Sequence, residues 1–414
     1  MASLGKQTAH HFRALTSHQR HAFFACLLGW SLDAFDFFIL VFCVLPISKE
    51  FHSSVSSVAQ AIFLTLAFRP IGALLFGALA DRFGRRPALM INIGCFSVLE
   101  LACAFAPSLH VLLILRALFG VAMGGEWGVG AALALESLPV EGRGFFSGLL
   151  QEGYAFGYLL AAASYALLFH WIGWRGMFMV GAAPAVLVAY ISAKVEESPV
   201  WVEGRVRQLA DKNKSSFVQN LRRYGLTFLF LILLMTGFNA FSHGTQDLYP
   251  TFLQHDRYLS EAATGSIAIV SMAGAILGGI TVGSLSERVG RKRAIIGAAL
   301  LSIPIIPFFA LAHSFWLLVP GAFLMQFMVQ GAWGVVPAYL NELSPEPVRA
   351  TFPGLAYQLG NLITSRNSVL QAQAAVRFGG FGKVLGFTVF IVAAYLAIVT
   401  SFGRESKGAD LSAS

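Results

Sequence analysis

The sequence predicts an all-α, polytopic membrane protein of twelve transmembrane helices arranged as two related six-helix halves. Three observations predict it. Hydrophobic side chains make up 56% of the 414 residues and charged ones 12%, with a mean hydropathy of +0.68, more apolar surface than a soluble core can hide. The apolar stretches have the length, roughly 20 residues, that crosses a bilayer. Finally, motifs return at a displacement of 206 residues: GALADRFGRRP (77–87) as GSLSERVGRKR (283–293), Gly125, Trp127 and Gly128 as Gly331, Trp333 and Gly334, and Glu136, Pro139 and Arg143 as Glu342, Pro345 and Arg349.

The spans are read at residues 22–45, 55–80, 86–106, 110–131, 147–168, 174–192, 225–248, 262–285, 294–312, 316–338, 350–373 and 383–402. The halves are then 1–196 and 223–414, joined by a polar linker at 197–222. Of the 29 Lys and Arg, Lys49, Arg175, Arg257, Arg377 and Lys383 fall in one set of loops and Arg69, Arg116 and Arg366 inside spans; the other 21 occupy the termini, the linker and the remaining loops. That asymmetry puts both termini and the linker in the cytoplasm. It also accounts for the net charge of +8 without nucleic acid as a partner. The basic start, followed by an apolar segment holding Asp33 and Asp36, is not a cleavable signal peptide. Cys26, Cys43, Cys95 and Cys103 lie in apolar segments without C-x-x-C spacing, so neither a disulfide framework nor a zinc site is expected. With no metal-ligand cluster, nucleophile elbow or phosphate loop, neither an enzyme nor a cofactor is expected. Paired halves suit alternating access around a midplane site better than a channel.

Ionisable residues inside a span cost about 2.5–3.5 kcal/mol each on insertion scales and mark function by default. The first span reads GWSLDAFDFFILVF; Asp33 and Asp36, three residues apart, share a helix face. Burial and like charge keep one of them protonated, as proton coupling requires, unless one only pairs with Arg69 or Arg116. In the second span Pro70 removes a backbone donor beside Arg69 and loosens the helix, so Arg69 either binds a substrate carboxylate or closes an internal salt bridge. Between the second and third spans, the carboxylate of Asp81 with Arg82 and Arg85 forms a conformational gate or a purely topogenic loop, and Glu287 and Arg288 carry its copy between the eighth and ninth. Glu100 in the third span reads as structural. In the fourth, Arg116 and Glu126 share a face but stand about 15 Å apart, too far to pair; Glu126 serves either coupling or a hydrogen bond. Glu152 belongs to the fifth span. The linker carries Trp201 and Val202 among charges and fits a solvated tether or a short surface helix. The seventh span ends in NAFSHGTQDLYPT, where His243 titrates near neutrality, Asn239 and Gln246 offer amides, and Asp247 lies one turn beyond His243. Arg366 in the eleventh span has few carboxylates to neutralise it, and a guanidinium facing a cavity takes a carboxylate bidentately unless an internal pair claims it.

The pattern at Gly77, Asp81, Arg82, Gly84, Arg85 and Arg86 resembles the signature loop of the major facilitator superfamily. Arg116 with RALFGVAMGG resembles that family's fourth-helix pattern, whose Arg is associated with proton transfer. The seventh-span string matches the N-x-x-[S/T]-H-x-[S/T]-Q-D-x-x-x-T signature of fungal lactate and pyruvate permeases at Asn239, Ser242, His243, Thr245, Gln246, Asp247 and Thr251. The Asp-bearing first span, the F-R-P-x-G at Phe68 to Gly72 and the G-G-E-W-G at Gly124 to Gly128 also look like the sialate:proton symporter group to which those permeases belong. The resemblance covers nearly the whole chain. It implies proton-coupled import of a short monocarboxylate, lactate or pyruvate, by a monomer in lipid, with the proton as the only co-substrate. Substrate contacts are then expected at Arg366, Asn239, His243, Gln246 and Arg69, and proton coupling at Asp33, Asp36, Asp247, Arg116 and Glu126. Sialate or another organic anion is the alternative substrate. Short termini, unlike the fungal pattern, imply a bacterial inner-membrane version.

Overall fold

The computed structural model describes residues 15–53, 55–140, 142–210 and 217–409. Residues 211–216 of the linker and the basic segment before residue 15 lie outside the described residues. Every described element is helical: α1 (Ser17–Glu50), α2 (Val55–Phe83), α3 (Arg85–Ala104), α4 (Leu109–Met123), α5 (Glu126–Ser137), α6 (Arg143–Gln151), α7 (Gly153–Val180), α8 (Ala185–Lys194), α9 (Pro199–Ala210), α10 (Phe217–Gln246), α11 (Tyr249–His255), α12 (Glu261–Val289), α13 (Arg291–Ser302), α14 (Phe315–Leu343), α15 (Thr351–Thr364), α16 (Asn367–Phe378) and α17 (Phe381–Phe402). Nine helical segments among the described residues are each long and apolar enough to cross a membrane. They are the expected first to fourth, seventh to tenth and twelfth spans.

The fifth, sixth and eleventh spans are interrupted, which hides them from a test of single helices. The fifth runs through α6 and most of α7, broken at Glu152. Gly173, at φ 60°, turns the chain into the sixth span, which continues into α8. Only glycine takes that backbone without strain. The eleventh span is α15 and α16, broken at Ser365 and Arg366. Helix α1 begins at Ser17, earlier than the hydropathy start at residue 22, because Thr16 and Gln19 close a capping box.

Each half has its own apolar core. The core of the second half admits Trp30, Ala73 and Trp127 from the first, and the core of the first half admits Ala350 from the second. Within the first half α2 and α4 pack at backbone contact: a Cβ on Gly72, Gly120 or Gly124 would fall 1.7, 2.2 or 2.0 Å from a facing carbonyl oxygen. The Arg116–Gly120–Gly124 spacing is therefore a close-packing surface, and it carries Arg69 and Arg116 into the interior. The 206-residue repeat is also structural. Gly84 (φ 112°) and Gly290 (φ 100°) turn the equivalent loops, and Arg85–Glu136 and Arg291–Glu342 are equivalent buried ion pairs at 3.0 and 2.9 Å.

Candidate functional site

At the end of the bundle carrying the basic loops, the halves are locked by two equivalent carboxylates. Asp81 accepts hydrogen bonds from the backbone N–H groups of Ala350 (3.1 Å) and Thr351 (3.2 Å) and from the Thr351 hydroxyl (2.5 Å), at the start of α15. Glu287 accepts from the N–H groups of Gly144 (2.7 Å) and Phe145 (3.2 Å), at the start of α6. Each carboxylate caps a helix N-terminus of the other half, where orphan N–H groups and the helix dipole favour negative charge. Behind them Arg349 approaches Glu136 and Arg143 approaches Glu342, both at 3.8 Å and both across the halves. Arg85 joins Asp81 (2.9 Å) to Glu136.

The outer arginines of the motif do not take part. Arg82 is exposed and lies 5.1 Å from the Phe83 ring, and Arg288, in the last turn of α12, is exposed. Motif spacing could not distinguish the helix faces, and Glu136, Arg143, Glu342 and Arg349, noticed only as repeats, are the missed members of the lock. The linker reading also changes. Glu197 accepts from the N–H groups of Arg85 (2.9 Å) and Arg86, Ser198 donates to Glu136, and Trp201 donates to the Asp81 carbonyl (3.1 Å). Burial pushes the Glu197 carboxyl above its ordinary pKa, while the N–H groups of Ser198, Arg86 and Arg85 work against that shift. The start of the linker is thus docked onto the signature loop.

Beyond the lock lies a cavity of about 450 Å³ between the halves. Its wall includes Glu152 and Tyr154 from the fifth span and Asn239, His243, Gln246 and Asp247 from the seventh. His243 Nδ1 lies 3.2 Å from Asp247 Oδ1, with about a third of each side chain exposed. Gln246 donates to Gln326 (2.7 Å), and Gln326 donates to Thr245 (3.2 Å). Asn239 donates to the carbonyls of Met235 and Tyr357, so its amide N–H groups tie the seventh span to the eleventh. The side chain of Thr251 lies outside the described residues.

The charges of the first half form a sealed cluster behind that wall. Asp33, Asp36, Glu100, Glu126 and Arg116 have no exposed surface, and Arg69 is 3% exposed. Arg116 pairs with Glu100 at 2.6 Å, and Arg69 lies 3.7 Å from Asp33. No hydrogen-bond partner among the described residues reaches the carboxylate oxygens of Asp33, Asp36 or Glu126. Four carboxyl groups thus face two guanidiniums, a set that is neutral when two carboxyls hold protons. The residues 206 positions on are Asn239, Ser242, Ala275, Ile306, Ala322 and Ala332; the second half has no such cluster. Arg69 lies within electrostatic reach of Tyr154, Tyr357 and His243, from just behind the wall.

Arg366 is placed elsewhere. It caps α16 at the break in the eleventh span with an exposed side chain and does not line the cavity. Among the described residues no group of His, Cys, Asp and Glu is arranged to hold a metal.

A helical bundle of two repeats, closed at one end by carboxylate caps and enclosing between its halves an apolar cavity studded with polar side chains, has the form of a membrane transporter. The chain belongs to the major facilitator superfamily, whose family model matches residues 25–365 and 247–407. It is 29% identical over 388 residues to a carboxylic acid transporter protein homolog of Saccharomyces cerevisiae, covering 88% of this chain and 63% of that longer protein. It is 28% identical to the sialic acid transporter NanX of Escherichia coli over 96% of this chain and 97% of that protein. Among solved structures, the proton:xylose symporter XylE superposes with a TM-score of 0.73 at 20% identity, over 96% of this chain and 98% of that one, a likeness of fold.

Proposed function

We propose that the protein is a proton-coupled symporter that imports a short monocarboxylate, lactate or pyruvate, by alternating access. The observation that carries this reading is the His243–Asp247 pair in the cavity wall, inside the seventh-span signature and next to the sealed carboxyl cluster. His243, when protonated, supplies a cation to an anionic substrate, with Arg69 behind the wall as the permanent charge. The cluster supplies groups that gain and lose the coupled proton. A cavity of about 450 Å³ also has room for a larger organic acid, and the similarity to a sialic acid transporter favours sialate as the second reading. We assign the protein to a bacterial inner membrane, as a monomer with both termini inside and no catalytic activity. The basic residues of the loops at the locked end, among them Arg85, Arg143, Arg291 and Arg349, support that orientation, which makes this an outward-facing state.

Purified protein in liposomes with an entrapped pH dye tests the reading. Lactate or pyruvate is expected to accumulate against its gradient when the outside is acidic, with protons entering alongside. Accumulation that persists after an ionophore collapses the proton gradient removes the coupling; accumulation of N-acetylneuraminate alone transfers the site to the larger acid.

The lock gives a separate expectation. Asp81→Asn removes the charge from the α15 N-terminus, worth about 1–2 kcal/mol in a partly buried setting, roughly 5- to 30-fold in the balance of states. Turnover is expected to fall by that order while substrate Kd changes little. Wild-type turnover at matched expression would leave the loop only a topogenic role.

A further inference from the structure

Glu152 is used neither by the lock nor by the sealed cluster. It occupies the break between α6 and α7, lines the cavity and is 2% exposed. Its Oε1 has no hydrogen-bond partner among the described residues. No cation faces it. Helix α12 carries no ionisable residue between Glu261 and Glu287, and α14 carries only Tyr339 and Glu342, both towards the lock. Across the cavity stand His243 and Asp247, already paired, with Tyr154 and Tyr357 in the wall. Asp33 and Asp36, on α1, face away into the sealed cluster.

The position of Glu152 is where the halves part. One turn before it, Gly148 packs on Gly279 of α12, where a Cβ would fall 2.3 Å from the Gly279 carbonyl oxygen. Glu152 Oε1 itself fills the space a Cβ on Gly279 would need, at 2.0 Å, and the Gln330 carbonyl oxygen lies 3.5 Å from the same point. A protonated carboxyl can donate to such a carbonyl; a carboxylate there has neither donor nor cation and is held against a large desolvation cost. The repeat supplies an internal comparison. The residue 206 positions on is Gln358, equally buried in the eleventh span, and an amide has the shape of a neutral carboxyl.

We propose that Glu152 is a proton-binding site of the transport cycle: its neutral form holds the fifth span against Gly279 of the eighth, and its ionised form requires the water-filled cavity. This rests on the proton-symport reading above. In each cycle the carboxylate takes one proton from water at the open end of the cavity. It returns that proton to water on the opposite side once access has switched, and no other bond is made or broken.

The test is made on the full chain in proteoliposomes, with L-lactate, pyruvate and N-acetylneuraminate each supplied and proton entry recorded. Glu152→Gln fixes the neutral shape. Proton flux and uphill accumulation are expected to fall at least about tenfold further than counterflow exchange does. Glu152→Asp, which keeps a titratable group, is expected to retain coupled flux with a displaced pH profile. Coupled flux that survives intact in Glu152→Gln, exchange lost as completely as coupling, or an unshifted profile in Glu152→Asp overturns the assignment while leaving the symport reading in place. A wild-type protein that moves no proton with any of the three acids overturns both.

Discussion

Removing the guanidinium of Arg116, as Arg116→Met, is expected to destabilise the protein by about 3–5 kcal/mol, the cost of leaving a buried partner uncompensated. Arg116 and Glu100 are both fully buried at 2.6 Å. The Arg116 guanidinium also donates from Nε to Thr65 (3.3 Å) and lies 4.0 Å from the Phe119 ring centroid. With the cation gone, Glu100, Asp36 and Asp33 have only Arg69 for company. Glu100→Gln in the same background should recover much of the loss, because two neutral groups carry little desolvation cost. Thermal unfolding midpoints in detergent for the two single variants and the double variant give the cycle. A double variant no better than Arg116→Met would mean that the pair is not the stabilising unit, and that Arg116 is held for the proton step that its sequence pattern suggests.

How far the sequence could be read depended on the kind of information each feature needs. The repeat needed only residue identity at a constant spacing. It sets Asp81 and Glu287 apart as equivalents, and the structure gives them equivalent partners, Ala350 with Thr351 and Gly144 with Phe145. Apart from the Thr351 hydroxyl, those partners are backbone N–H groups, which leave no mark on side-chain chemistry. Arg82 was grouped with Arg85 because neighbours in a motif look alike on paper, yet on a helix they point to different faces. Arg366 reads as either a cavity anion site or an internal pair when the eleventh span is drawn as one helix, and the break at Ser365 carries no proline or glycine to announce it. Glu152 was visible as an intramembrane carboxylate but had no motif around it. What singles it out is the absence of a cation on the stretch of α12 between Glu261 and Glu287 and on α14, and that requires knowing which helices it touches. The same offset that revealed the repeat would have exposed the contrast of Glu152 with Gln358.

Arg69→Ala is expected to weaken substrate binding by about 2–5 kcal/mol, roughly 30- to 4,000-fold in Kd, the range for truncating one member of a desolvated charge pair. Of the three guanidiniums inside spans, two are otherwise committed or placed. Arg116 is occupied by Glu100, and Arg366 is exposed at the α16 cap, outside the cavity wall. Arg69 remains: its contact with Asp33 is long, 3.7 Å, its Nε and Nη2 lack hydrogen-bond partners among the described residues, and its charge reaches His243, Tyr154 and Tyr357. Arg69 stands behind the cavity wall rather than in it, so a carboxylate completes that coordination as a fork in a state that opens the wall to it; an ammonium cannot reproduce the geometry, so Arg69→Lys should retain only part of the affinity. Protonation of Asp33 frees Arg69 for the anion, which ties substrate binding to proton binding through one side chain. Affinity measured across pH for wild type, Arg69→Ala, Arg69→Lys and Arg366→Ala separates the alternatives, with unfolding midpoints as a control for misfolding. Arg366→Ala is expected to bind as the wild type does. Loss of binding in Arg366→Ala with normal binding in Arg69→Ala would move the anion site to the broken eleventh span and detach it from Asp33.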